Sequence, residues 1–100
     1  MGIREKIVNA KNSDWVTRGL TDSDVKSTVE LAKISARIER RRLDMGLTQV
    51  EFAKYMGVSQ GMISKWESRE YNFTIKTLNE ICEKLDLELS VSIIDPINKN

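Results

Sequence analysis

The chain has 100 residues, enough for one small domain, with 40% hydrophobic and 31% charged residues and a formal net charge of +1. A single cysteine and no histidine exclude an intrachain disulfide, a Ser–His relay and, with only one thiolate, a structural zinc site. With so small a net charge, any nucleic-acid binding must come from local placement of charge, not from a basic bulk field.

No apolar run approaches the length of a membrane span. The start, MGIREKIVNAKNSDW, is charged and interrupted, unlike a signal peptide, and one free cysteine suits a reducing cytosol, so a cytoplasmic, nucleoid-associated protein is expected. Gly2, Gly19, Gly46, Gly57 and Gly61 are scattered and form no phosphate-binding loop. Neither an enzyme nor a cofactor or metal requirement is expected.

Residues 1–20 give weak signals, with Ile7, Val8, Trp15, Val16 and Leu20 fitting a short helix or an arm. Thr21-Asp22-Ser23-Asp24 then offers a helix cap with an acid three residues on. From there Val25, Val29, Ala32 and Ala36 form one apolar stripe and Leu31, Ile34 and Ile38 another, so a helix should run to about Met45 and stop at Gly46. Thr48-Gln49-Val50-Glu51 is a second capping box, opening a helix whose apolar face reads as Val50, Ala53 and Met56 with Phe52 beside them. Gly57 should end it, and Ser59 should cap a third helix of about ten residues, 59–68, with Ile63 and Trp66 turned inward. After a polar loop, Thr74 caps a fourth helix with Ile75, Leu78, Ile81, Cys82 and Leu85 facing a core.

The period then changes. In Leu87-Glu88-Leu89-Ser90-Val91-Ser92-Ile93 apolar residues alternate strictly, which predicts a strand over 87–94, closed by Asp95-Pro96, with 95–100 as a tail. A lone strand leaves its backbone groups unpaired, so it must pair with residues 3–8 or with another chain. Pairing with a second copy would make the chain a homodimer.

The middle of the chain, VEFAKYMGVSQGMISKWESRE, carries two short helices joined by a tight turn, the helix-turn-helix unit. Ala53 is small where the helices cross, Gly57 sits in the turn, and Ile63 fills the space between, with Phe52, Val58 and Trp66 completing the wedge. Each residue is common alone; their joint spacing is specific.

At these residues the sequence resembles the Cro/C1-type (XRE) repressor domains. The likeness runs over GLTQVEFAKYMGVSQGMISKWES and on through TIKTLNEICEKLDL, about Ile38 to Leu87. It implies a mainly α, lambda-repressor-like bundle of four or five helices over 21–86 that binds double-stranded DNA, usually as a dimer on a near-palindromic operator. It also implies roles. The helix 59–68 would enter the major groove. Gln60 could bond an adenine edge, and Lys65 could reach guanine or a phosphate. Ser59 and Ser64 could bond a base or a phosphate, and Gln49 would hold a backbone phosphate. Arg42 and Glu67 match a pair that ties the first helix to the end of the reading helix. Gly61 departs from the family, which tends to carry a side chain there, and Ser68-Arg69 stands where a glycine usually follows the reading helix.

Plainer readings stand beside these. Trp66 shares a face with Ile63 and reads as core. Met45, Met56 and Met62 read as gap fillers, and Cys82 as a small buried apolar residue. Arg40 and Arg41 fit a solvated helix surface as well as a DNA-facing one, and Gln60 and Lys65 also fit an ordinary exposed helix face. Residues 37–71 hold seven basic and five acidic side chains and residues 72–100 three and five, so the basic excess lies on the motif.

Three functions fit: a transcriptional repressor; an antitoxin that neutralises an mRNA-cleaving toxin and represses its own operon, as the tail DLELSVSI resembles that of HigA-like antitoxins; or a protein-interaction module on the same fold. In the second, residues 1–20 would bind the toxin.

Overall fold

The computed structural model describes residues 19–97. Within them lie four helices: α1 (Asp22–Asp44), α2 (Gln49–Met56), α3 (Gln60–Trp66) and α4 (Ile75–Leu85). The first backbone N–H groups of a helix have no partner inside it, and here hydroxyls supply one each time. Thr21, Thr48, Ser59 and Thr74 accept from the N–H of Asp24, Glu51, Met62 and Thr77. At Thr21 and Thr48 the acid three residues on accepts from the cap's own N–H, completing both expected capping boxes.

Three helix ends share one geometry. After α1, α2 and α4 a residue turns left-handed, and two backbone N–H groups bond back into the last turn. At α2 the turning residue is Gly57 (φ 75°), followed by Val58 N–H donating to the Ala53 carbonyl at 3.0 Å. Gly46 (φ 73°) does the same for α1, with Leu47 N–H on the Arg42 carbonyl. At α4 the residue is Asp86 (φ 58°), whose short polar side chain tolerates this region better than most.

The core is built from Phe52, Ile63 and Leu85, each fully buried, with Ile38, Ala53, Met56, Trp66, Phe73, Leu78 and Ile81 around them. Only the second half of α1 reaches it. The buried residues Ser35, Ile38 and Arg42 lie three and four apart on one face, whereas residues 22–30 are all exposed. Val25 and Val29 therefore lie on the solvent-exposed start of a helix about 35 Å long, not in a packed stripe.

Several expectations are corrected. Val50 is exposed: burying Phe52 together with Ala53 and Met56 turns Val50 away. Ile75 is exposed in the first turn of α4, which extends past the core. Helix α3 is seven residues, not ten, because the chain leaves it at Glu67. Cys82 is half-buried, and burial pushes its thiol pKa up. The strand expected over 87–94 finds no partner among the described residues, and a strand exists only with a partner for its backbone. Its alternation survives in burial, Leu87 and Leu89 half-buried, Glu88 and Ser90 exposed. The rival pairing with residues 3–8 lies outside the described residues.

Candidate nucleic-acid interface

Helices α2 and α3 are joined by Gly57-Val58-Ser59 and pack directly on each other. Ile63 and Trp66, three apart, face inward, which turns Gln60, Gly61, Ser64 and Lys65 outward as one exposed face. Ser59 is exposed at its start, with its Oγ already accepting from the Met62 N–H. Helix α4 clamps the pair from behind: Lys84 Nζ donates to the Met56 carbonyl at 3.0 Å, and the Tyr55 hydroxyl donates to the Lys84 carbonyl at 3.1 Å.

Beneath that face lies a buried ion pair. Arg42 Nε donates to Glu67 Oε2 at 2.7 Å and Arg42 Nη2 to Glu67 Oε1 at 2.9 Å, a two-pronged arrangement with Glu67 only 4% exposed. The hydrogen bond to Glu67 raises the Arg42 pKa above its ordinary value. A third guanidinium donor, Nη1, reaches the Leu47 carbonyl at 2.8 Å. The expected pair is present, and it fastens the last turn of α1 to the residue that follows α3.

The pair does not stop at two residues. Gln49 Nε2 donates to Glu67 Oε1 at 3.1 Å. A carboxylate only accepts, so Gln49 must offer it the amino end and turn its Oε1 toward α3. That oxygen accepts from Gln60 Nε2 at 2.8 Å and from Ser64 Oγ at 3.1 Å. Gln60 Nε2 also lies 3.2 Å from Ser64 Oγ. A continuous polar chain thus runs from buried Arg42 through Glu67 and Gln49 to the exposed Gln60 and Ser64.

Lys65 is exposed and makes no ion pair among the described residues. Gly61 has helical backbone, and a Cβ there would meet only Ser59 Oγ at 3.8 Å, ordinary contact, so the fold itself does not demand glycine. Arg40 pairs with Asp44 along α1 at 2.6 Å, holding the Asp44 carboxyl below its usual range, and Arg41 Nε donates to the Leu85 carbonyl at 3.1 Å. Both arginines are engaged within the fold.

Two residues at this site were given no role from the sequence. Ser35, fully buried in α1, donates from Oγ to the Trp66 carbonyl at 2.6 Å and accepts from the Arg69 N–H at 3.1 Å. Arg69 takes the left-handed conformation (φ 74°) at the place where the family's glycine is missing. Its guanidinium is held by Glu39 Oε1 at 2.6 Å, the Glu67 carbonyl at 3.0 Å and Ser35 Oγ at 3.2 Å. The absent glycine was the available signal; it marked a strained position that another residue fills.

A family model described as helix-turn-helix matches residues 38–91, more than half of the chain. No curated protein and no solved structure gives a significant match. Among the described residues no helix is long and apolar enough to cross a membrane.

Proposed function

The chain belongs to the Cro/C1-type (XRE) helix-turn-helix family and is a DNA-binding transcription regulator, and from that premise we propose that it represses transcription by reading an operator with α3 in the major groove. One observation carries this: Gln60 and Ser64 are exposed yet held, through Gln49, on the buried Glu67 carboxylate. Long polar side chains on a surface ordinarily lose rotamer freedom on binding; two already held lose less.

In this reading Gln60 contacts adenine with both ends of its amide, Oε1 accepting from N6 and Nε2 donating to N7. Lys65 reaches guanine or a phosphate, Ser59 and Ser64 a base or a phosphate, and Gln49 a phosphate. Gly61 lets the α3 backbone come close to the groove. Met62 is half-buried against the core, so backbone and not its side chain would meet a thymine methyl. Two copies related by a two-fold axis would set their α3 helices about 34 Å apart on a near-palindrome.

Binding of the full chain to the DNA upstream of its own gene tests the proposal. Gln60→Ala is expected to weaken binding by about 1–3 kcal/mol at sites with the contacted adenine. Lys65→Ala will either do the same or, if it meets only phosphate, weaken all sequences alike and lower the salt slope by about one. Binding unchanged by both substitutions would refute the role given to α3.

A second reading, the antitoxin, is favoured by a different observation. Leu20, Val25 and Val29 are about half exposed, in and just before the unsupported start of α1, an apolar strip that a toxin could cover. A small toxin-like reading frame beside this gene, whose product co-purifies with the chain, would select it over the simple repressor.

A further inference from the structure

A cleft of about 350 Å³ opens between the second half of α1, α4 and the segment that follows α4, a volume at the small end of ligand sites. Ile34, Leu78, Ile81, Leu87 and Leu89 form its apolar walls. Burial is graded across it. Leu78 and Ile81 are buried, Ile34, Leu87 and Leu89 are half-buried, and the remaining polar lining residues, Arg37, Glu88 and Ser90, are exposed. The apolar groups therefore lie deep and the charged ones at the mouth.

Arg37 differs from the three arginines that follow it on α1. Arg40 is held by Asp44, Arg41 by the Leu85 carbonyl and Arg42 by Glu67. Among the described residues Arg37 makes no ion pair, and neither does Glu88 across the mouth from it. The Arg37 charge is nevertheless felt inside the cleft. Burial pushes the Cys82 thiol pKa up, and Arg37 pulls against that rise. With the rise dominant, Cys82 remains a neutral thiol and adds apolar lining to the cleft, not charge.

We propose that this cleft binds a free apolar α-amino acid, with its side chain among Ile34, Leu78 and Leu89, its carboxylate on Arg37 and its ammonium on Glu88. The proposal goes beyond the repressor reading and does not depend on it.

The charges at the mouth select that chemistry. A guanidinium offers parallel N–H donors that match the two oxygens of a carboxylate. Glu88 only accepts, so it suits an ammonium, which only donates. Ser90 carries a hydroxyl at the same mouth and can serve either group. A plain fatty acid would satisfy Arg37 and set its own charge beside that of Glu88. A plain amine would do the reverse, and a phosphate ester would bring two negative charges to one guanidinium. A zwitterion alone uses both side chains, and its net charge of zero matches theirs. The apolar walls then reject polar side chains, which would lose their hydrogen bonds to water there.

The test is a titration of the full-length chain with L-leucine, followed by the methyl resonances of the protein. Isocaproate, which is leucine without its amine, and isoamylamine, which is leucine without its carboxyl, are the comparisons. L-leucine should bind saturably at millimolar concentration or below, moving Ile34, Leu78 and Leu89 and leaving Val50, on α2, in place. Arg37 and Glu88 are exposed, so replacing them preserves the fold. Arg37→Gln should weaken leucine and isocaproate by about fivefold, the upper end for an exposed ion pair, and should not weaken isoamylamine. Glu88→Gln should weaken leucine and isoamylamine by about as much and should not weaken isocaproate. No saturation, shifts outside the cleft, equal binding of all three compounds, or variants that do not split the two comparisons would each overturn the site. An affinity for leucine that falls as the chain is concentrated would mean that a second copy fills the cleft, and would also overturn it. None of these results touches the Gln60→Ala test of α3, so the two readings fail separately.

Discussion

The surface of α3 and the segment after α4 are both exposed, and they differ in what holds their side chains. On α3, Gln60 and Ser64 trace back in two hydrogen-bonded steps to a buried ion pair. After α4, Val91, Ile93 and Ile94 are apolar and more than half exposed, and no described residue covers them. One surface is completed inside the chain and set before any partner arrives. The other carries an apolar pattern that no described residue completes. An exposed polar residue with a buried anchor and an exposed apolar residue without cover are therefore different signals: the first fits the reading surface proposed above, the second a surface that takes a partner.

The strongest way to break the comparison is at the anchor. Glu67→Ala leaves Arg42 buried without its carboxylate and should cost about 3–5 kcal/mol in urea unfolding. A joint replacement, Arg42→Met with Glu67→Leu, should cost much less, because no charge is then left buried. If Glu67→Ala unfolds like the unaltered chain, the polar chain has no anchor.

A smaller effect is expected at Arg69. The left-handed backbone costs a non-glycine residue about 1–2 kcal/mol, and here three side-chain contacts offset it. Arg69→Ala keeps the strain and loses the contacts; Arg69→Gly loses both. The glycine variant should be the more stable of the two by about 1 kcal/mol in thermal unfolding. Equal stabilities would mean that the contacts do not offset strain.

Gly61→Ala should stabilise the fold by about 0.5–1 kcal/mol, since the helical position is open. If the α3 backbone comes close to DNA there, the same change weakens operator binding. Opposite signs in unfolding and in binding would sharpen the case; tighter binding would remove any role for the glycine. The smallest effect on stability belongs to truncation after Ser90, which removes, among the described residues, only exposed ones and retains Leu87 and Leu89. The melting temperature of the dilute, monomeric chain should hardly move, while dimerisation is lost. A large drop in stability would show that the tail is part of the subunit's own core.

Much of this was legible from the sequence because it depends on neighbours a few residues away. The capping boxes at Thr21 and Thr48, the left-handed Gly57, and the inward Ile63 and Trp66 are local consequences of residue type and spacing. The Arg42–Glu67 pair was readable only through family likeness, since nothing in their 25-residue separation predicts contact. Val50 and Ile75 were misplaced because several apolar residues competed for one helix face, and packing in the core, not periodicity, chose among them. Ser35 escaped notice because a lone mid-helix serine carries no local signal; its importance comes from the Trp66 carbonyl 31 residues away. The segment after α4 showed its alternation but not its partner, and none lies among the described residues.

The orientation of one amide also limits how this surface can change over generations. Gln49 cannot flip while Glu67 is charged, so position 60 always faces an acceptor oxygen. Substitutions there that keep a donor, such as lysine or asparagine, retain a partner as they take up a new base. Glutamate, the residue suited to cytosine N4, would meet that oxygen acceptor to acceptor. If position 60 reads a base as proposed, the operators reachable in one mutational step are biased against a cytosine there, and crossing the gap requires Gln49 to change as well. A carboxylate almost closed to solvent constrains the vocabulary of sites into which this regulator can drift.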